Sequence, residues 1–368
     1  MKFTIAKESI LPLLQYAVNF TASKNLNVIL QNLLIEAKDN RLYLRSTTFQ
    51  TGFSCSLDAE IAEAGITTVN AKKLSDIIKE TPDNADIDFQ FDGAQLHLYS
   101  GNSKFYLQTM DPSYFPVSPT ITPEYSFSVE GKLFVALLKR IAFCVSNDTL
   151  KVEYNGAHLG VFGNTIELSS ADYQRAATAS TSFENSIIDE FIINIPKKTV
   201  LDIIKIFDNA EKIEVETDRR QISFSTKNIT VTSNLIEKYI KSLSRLFQAE
   251  YKLKAQLNRE EITGVVKRIA PMASELTNGL QFSFQGSQLT VSSLESEYGK
   301  GVATIDGIIY EGEAIDIVFN AKHLLEILQN ITSAAVIFEM NSEKQPVLIL
   351  PDNGEAKYLL VPISIEKI

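Results

Sequence analysis

Histidine and cysteine are scarce: the 368-residue chain holds three of one and two of the other. His97, His158 and His323 form no HExxH pair, and no Cys/His cluster has zinc spacing. P-loop and GxGxxG phosphate cradles are missing too. With only Cys55 and Cys144 no disulfide framework is expected, which points to a reducing, cytoplasmic setting. Each cysteine has apolar neighbours, the surroundings of a packed thiol. No apolar run approaches the length that spans a bilayer. The opening Met1-Lys2-Phe3-Thr4-Ile5-Ala6-Lys7-Glu8 alternates like a strand and lacks a secretory signal's apolar run and cleavage site. Asp86 with Asp88, Glu214 with Glu216, and Glu295 with Glu297 each put two acids on one strand face. Without further ligands these read as solvated faces, and no metal, cofactor or catalytic residue is expected.

Positive charge is also in short supply. Lys and Arg number 35 against 45 Asp and Glu, for a net charge of −10 and a pI near 5.0. Taken whole, that disfavours nucleic acid, because phosphate contacts need cations.

What is present is a long repeat. The segment Val69-Asn70-Ala71-Lys72-Lys73-Leu74 resembles Ile195-Pro196-Lys197-Lys198-Thr199-Val200 and Phe319-Asn320-Ala321-Lys322-His323-Leu324. Aligning Ala71, Pro196 and Ala321 gives two intervals of 125 residues, domain-sized and far longer than a solenoid repeat. Apolar residues at i, i+3, i+4, i+7 predict an early helix in each unit, on Ile10, Phe134 and Ile262, and a second on Val200 and Leu324. Alternating stretches such as Ile87–Phe91, Ile213–Glu216 and Ala335–Met340 predict antiparallel strands. The expected fold is α+β: three repeated domains, 1–121, 122–248 and 249–368, each with two helices packed on antiparallel sheet. Linkers are expected around Pro116–Pro123 and Phe247–Tyr251.

Charge follows the repeat. On the six predicted helices (7–18, 71–81, 130–143, 196–207, 258–270, 320–330) there are 14 Lys and Arg but 8 Asp and Glu. The helices are therefore +6 and the rest of the chain −16. Basic helix faces on an acidic body suit a polyanion held at one surface and repelled elsewhere.

These features resemble the bacterial β sliding clamps, the processivity subunits of DNA polymerase III. The resemblance runs the whole chain: Met1–Ile5, Val28–Leu34, Thr67–Lys73, Ser100–Phe105, Tyr154-Asn155-Gly156, Asn194–Lys198, Thr232–Leu235, Phe319-Asn320 and Tyr358–Ile363. It implies a non-enzymatic, head-to-tail homodimer closed into a ring, helices inside and sheet outside. The ring would encircle double-stranded DNA without reading sequence and tether the replicative polymerase. Implied DNA-facing residues are Lys24, Lys72, Lys73, Lys79, Lys139, Arg140, Lys197, Lys198, Lys205, Lys267 and Arg268. The implied dimer contact uses an edge strand holding Lys104, Phe105 and Leu107, against Pro271 and Met272, where a proline replaces the usual aliphatic residue. An implied pocket for short linear motifs of polymerase, clamp loader and repair proteins uses Tyr154, Arg175, Arg245, Leu246, Asn320, His323, Val361, Pro362 and Ile363. There the chain departs from the family: Tyr173-Gln174-Arg175-Ala176 replaces Gly-His-Arg-Leu, Lys241 replaces a proline, and Glu366-Lys367-Ile368 run past the usual end. Two other classes compete. A β-rich interaction scaffold would be a monomer indifferent to helix charge; a metal-dependent hydrolase would need the paired acids.

Overall fold

The computed structural model describes residues 1–22, 27–116, 121–148, 150–183, 190–240, 243–294 and 299–364. Lys24, Lys241, Thr149, the acids 295–297, residues 117–120 of the first linker and the terminal 366–368 lie outside the described residues.

Six α-helices appear among them: α1 Lys7–Asn19, α2 Ala71–Lys79, α3 Gly131–Ala142, α4 Lys197–Ile206, α5 Arg259–Ile269 and α6 Ala321–Gln329. Their apolar stripes are the predicted ones. Ile10, Leu14 and Ala17 of α1 are buried, as are Phe134, Leu137, Leu138 and Ile141 of α3 and Ile262, Val265, Val266 and Ile269 of α5. Asparagines open three helices. The side-chain oxygens of Asn70, Asn258 and Asn320 accept from Lys73 N (2.9 Å), Glu261 N (3.0 Å) and both Lys322 N (3.0 Å) and His323 N (3.2 Å). Each satisfies amides that a helix start leaves without partners. At the matching place α4 has Pro196, which stays in the preceding strand opposite Gly156. The second helices therefore start at Ala71, Lys197 and Ala321, giving intervals of 126 and 124 instead of two of 125.

The chain forms two compact units, residues 1–133 with 201–235 and residues 134–200 with 236–368. In unit one a thirteen-stranded sheet runs from Tyr125–Glu130 at one edge to Glu60–Glu63 at the other. Its fourth and fifth strands from the Tyr125–Glu130 edge join repeats: Ile229–Asn234 of the second pairs antiparallel with Thr51–Asp58 of the first. Unit two has a nine-stranded sheet from Phe191–Pro196 to Ile309–Glu311, and a four-stranded one from Val302–Asp306 to Ile315–Asn320. In the larger sheet, Arg175–Ser182 of the second repeat pairs with Lys357–Leu360 of the third. The central repeat is thus shared, one half hydrogen-bonded to each neighbour. Such joins satisfy strand edges that would otherwise stay bare. Local turn chemistry supports the ladders: Asp39 and Asn40, at φ 51° and 55°, make the two-residue turn between Asn32–Lys38 and Arg41–Thr47.

No helix among the described residues is long and apolar enough to cross a membrane. Cys55 and Cys144 are free and buried, and burial pushes both thiols up, Cys55 to about 12.

Candidate functional site

The helix faces carry the first candidate surface. Aligned on their buried stripes, the helices repeat their cations. Lys72, Lys198 and Lys322 share the second position of α2, α4 and α6, and all three are exposed. Lys79 of α2 matches Lys205 of α4, and Lys139 and Arg140 of α3 match Lys267 and Arg268 of α5. In α1 the counterparts are Gln15 and Tyr16, and the Lys205 ammonium lies 5.8 Å from the centre of the Tyr16 ring. Lys322 is the cation that sequence reasoning passed over: the third repeat has His323 where the other two have a second lysine, so the pair is broken there although Lys322 itself aligns with Lys72.

Two candidates are engaged inside the protein. Lys197 is half-buried and its Nζ donates to the Val145 carbonyl at 2.7 Å; burial lowers its pKa from the usual 10.5. Arg140 pairs with Glu355 at 2.5 Å, the two side chains 19% and 11% exposed. Lys72, Lys73, Lys79, Lys139, Lys198, Lys205, Lys267 and Arg268 are exposed, with Lys72 also 3.1 Å from Asp76. Lys7, counted in the basic total, is buried and belongs to the scaffold: it donates to the carbonyls of Lys79 and Thr81 and to Asp83. It thereby caps the C-terminal end of α2.

The second candidate site gathers in unit two. Val361 donates its N–H to the Gln174 carbonyl and Ile363 to that of Val318, both at 2.8 Å. This lays residues 361–363 between the turn before Arg175 and the strand leading to α6. Arg175 donates to Asp172 (Nη2 to Oδ2, 2.8 Å) and to Glu326 of α6, with its guanidinium 5.5 Å from the Phe143 ring centre. His323, near Arg175 and half-buried, has its pKa lowered by burial. Tyr154 packs with Ile240 against a buried cluster of Ala171, Ala176, Leu243, Phe247, Leu348 and Leu359. Arg245 and Leu246 project from the same short turn as Leu243 and are exposed, as is Val361, whereas Pro362 is buried. Asn320 is committed to capping α6 and to the Thr277 carbonyl (3.2 Å). Tyr173, where the family has glycine, sets its ring 5.8 Å from that of Tyr154, with the Lys151 ammonium 4.8 Å above Tyr173.

The third candidate is a pair of sheet edges. Residues 103–108 of Ser103–Met110 pair with Gln95–Ser100 on one side, and only Thr109 and Met110 register with the strand on the other. Phe105 and Leu107 are half-buried and Lys104 exposed. Val302–Asp306 is the edge of the four-stranded sheet. Pro271 and Met272 lie in the turn Ala270–Met272 after α5, and Met272 packs so near Gly301 that a side chain there would crowd it. Leu276, 95% exposed, and Val302, 56% exposed, are apolar residues of this region that the sequence did not single out.

Of the paired acids, Asp88 accepts from Thr4 Oγ1 at 2.6 Å and Glu214 sits 2.7 Å from Lys212. Among the described residues no three His, Cys, Asp or Glu gather as a metal set.

Comparison with known proteins agrees with this fold. Family models of the DNA polymerase III beta subunit match in order: the N-terminal domain over residues 1–119, the central domain over 128–240 and the C-terminal domain over 244–364. A beta sliding clamp of Rickettsia bellii is 26% identical over 99% of this chain and 100% of its own length. One of Vibrio cholerae is 25% identical over 99% and 100%. Among solved structures, a DnaN sliding clamp of Pseudomonas aeruginosa bound to griselimycin superposes with a TM-score of 0.95 at 23% identity, covering 99% of this chain and 100% of that one. A clamp of Bartonella birtlesii, also bound to griselimycin, gives 0.93 at 23%, covering 99% and 100%. The fold is that of a DNA clamp with three clamp domains. The chain belongs to the DNA polymerase III beta-subunit family, whose members are sliding clamps and polymerase processivity factors rather than catalytic subunits.

Proposed function

We propose that this sliding clamp works as a ring of two copies. Each contributes three domains, with boundaries near residues 121 and 248, and the ring encircles double-stranded DNA in the cytoplasm without an active site of its own. The recurrence of exposed cations at equivalent helix positions carries the DNA reading. Lys72/Lys198/Lys322, Lys79/Lys205 and Lys139/Lys267 offer repeated, sequence-blind phosphate contacts, with Lys73 and Arg268 beside them. Arg140 and Lys197 act through the protein, and Lys24 joins the set by its family position. Each phosphate contact is weak and exchangeable, so the helices can pass along the backbone while closure of the ring prevents loss.

The ring would close head to tail. Residues 103–108 of one copy add to the Val302–Asp306 edge of the other, with Phe105 and Leu107 meeting Pro271, Met272 and the exposed Leu276. The apolar cluster beside Tyr154, bounded by Val361–Ile363 and the turn holding Arg245 and Leu246, receives short linear motifs from the polymerase, the clamp loader and repair proteins.

A charge-reversed variant, Lys73→Glu with Lys79→Glu, Lys267→Glu and Arg268→Glu, tests the DNA reading. Binding to a short duplex should weaken at least tenfold and the slope of log K against log salt should flatten by roughly 3 to 4 for each copy in the ring, about 0.9 for each phosphate left unneutralised. An unchanged slope would rule these residues out. Val361→Asp tests the groove through loss of partner-peptide binding.

A further inference from the structure

We propose that His158 and Asn194 are positioning residues of the peptide groove, fixing the spacing of the two segments that carry its walls. The inference rests on the groove reading above. The two residues face each other in register, His158 in Gly156–Phe162 and Asn194 in Phe191–Pro196, and are 2% and 0% exposed. Asn194 Nδ2 donates to two carbonyls on separate segments. One is Glu153 O at 3.0 Å, in the short turn Val152–Tyr154 that presents Tyr154. The other is Lys238 O at 2.8 Å, in the segment leading to Leu243–Phe247. His158 Nε2 accepts from Ile240 N at 2.9 Å, two residues further along that segment. The backbone adds Ile236 N to Asn194 O at 2.9 Å. Because Nε2 must offer a lone pair, this imidazole is neutral with its proton on Nδ1. Room for the carboxamide comes from Gly156, where a Cβ would stand 2.1 Å from Asn194 Oδ1.

The other repeats show what is specific here. The same register positions hold Leu34 with Thr68 and Gln281 with Val318. In the first repeat Thr68 Oγ1 donates to Met110 O at 2.8 Å, while Leu34 packs in an apolar cluster with Phe115. In the third, Ile363 N donates to Val318 O at 2.8 Å. All three repeats tie their exit segment to this strand position. In the first repeat Asn32 Nδ2 backs Thr68 at 3.2 Å, but among the described residues only the central repeat has two buried polar side chains that both bond the exit segment, one of which also reaches a second segment. Buried amides are costly where an atom goes unbonded, as Asn194 Oδ1 does, and the first repeat holds its exit segment with one hydroxyl, that of Thr68, and the apolar contact of Leu34. What an apolar contact lacks is direction: it cannot hold two backbone carbonyls at a set separation. Tyr154 and Leu243 share one apolar cluster, so that separation is the width a peptide's apolar anchor meets.

The test uses the full-length chain, with hydrogen exchange over 152–154 and 236–240 and, as calorimetric probe, griselimycin, which two of the solved clamps bind and which this proposal assigns to the groove. Asn194→Ala should raise the griselimycin Kd about tenfold or more, the usual effect of breaking buried hydrogen bonds, and should speed exchange in both segments together. His158→Leu should weaken binding and speed exchange at Ile240. His158→Gln, whose amide oxygen can accept from Ile240 N, should restore binding to within about threefold of wild type. Val361→Asp should weaken griselimycin without speeding either segment, separating loss of a wall from loss of its position. Wild-type affinity in Asn194→Ala, faster exchange in one segment alone, or no rescue by His158→Gln would overturn the proposal. A wild-type chain that fails to bind griselimycin would count against the groove reading instead, and the paired exchange response of Asn194→Ala would still decide the positioning.

Discussion

Lys197 Nζ donates to the carbonyl of Val145 at 2.7 Å, while the next residue, Lys198, is exposed. Adjacent lysines that look alike in sequence therefore have different tasks. Lys198→Glu should reduce the salt slope of DNA binding by about 1 for each copy in the ring and leave stability within roughly 0.5 kcal/mol of wild type. Lys197→Met should do the reverse: it strips a part-buried carbonyl of its donor and should cost about 1–2 kcal/mol in urea unfolding, with the salt slope unchanged. Equal effects of the two on the slope would show that both meet phosphate.

Lys7 supplies a stability prediction in unit one. Its ammonium satisfies the Lys79 and Thr81 carbonyls at the end of α2 and pairs with Asp83 at 3.0 Å. Lys7→Met keeps the packing but orphans those carbonyls, and should destabilise by about 2–4 kcal/mol. Denaturation midpoints of wild type and variant check this, and a loss under about 0.5 kcal/mol would mean that water replaces the ammonium without penalty.

His158 gives a pH dependence. Burial pushes its pKa from 6.5 down to about 4, so the folded chain disfavours the imidazolium. Between these values the unfolded chain binds more protons. The contribution is complete above pH 6.5 and is lost as pH falls toward about 4. The shift corresponds to about 3 kcal/mol at most. Unfolding curves at pH 7 and at about 4.5 should converge in His158→Gln relative to wild type, which subtracts the carboxylates common to both. Parallel pH curves for the two proteins would contradict the assignment.

Edge pairing makes a mass prediction. Phe105→Arg combined with Val302→Arg places a charge on each of the two strands proposed to meet. The double variant should sediment as a monomer at concentrations where wild type is a dimer, with each chain still folded. An unchanged dimer would place the interface elsewhere.

Much of this was legible in the sequence, and the reasons differ by element. The stripes of Ile10, Phe134 and Ile262 announce their helices, because a 3.6-residue period has one buried solution. Strands such as Ile213–Glu216 announce themselves by alternation. The join of Ile229–Asn234 to Thr51–Asp58 was not readable, since partners so distant in sequence leave no local pattern. The start of α4 is displaced by one residue, because Pro196 stands where Asn70 and Asn320 cap their helices, and this sets Lys198 rather than Lys197 against Lys72 and Lys322. Neither the engagement of Lys197 and Arg140 nor the buried role of Lys7 shows in composition, because a lysine that caps a carbonyl and one that faces solvent are the same letter. His158 is one of three scattered histidines in the sequence, and only its register with Asn194 discloses what it holds.

The central claim is topological, and retention on DNA tests it most directly. After loading onto nicked circular plasmid, the clamp should co-elute with the DNA in a salt concentration that abolishes duplex binding. It should be released when a single restriction cut linearises the plasmid. Equal retention on circular and linear DNA, or no retention on either, would contradict a closed ring.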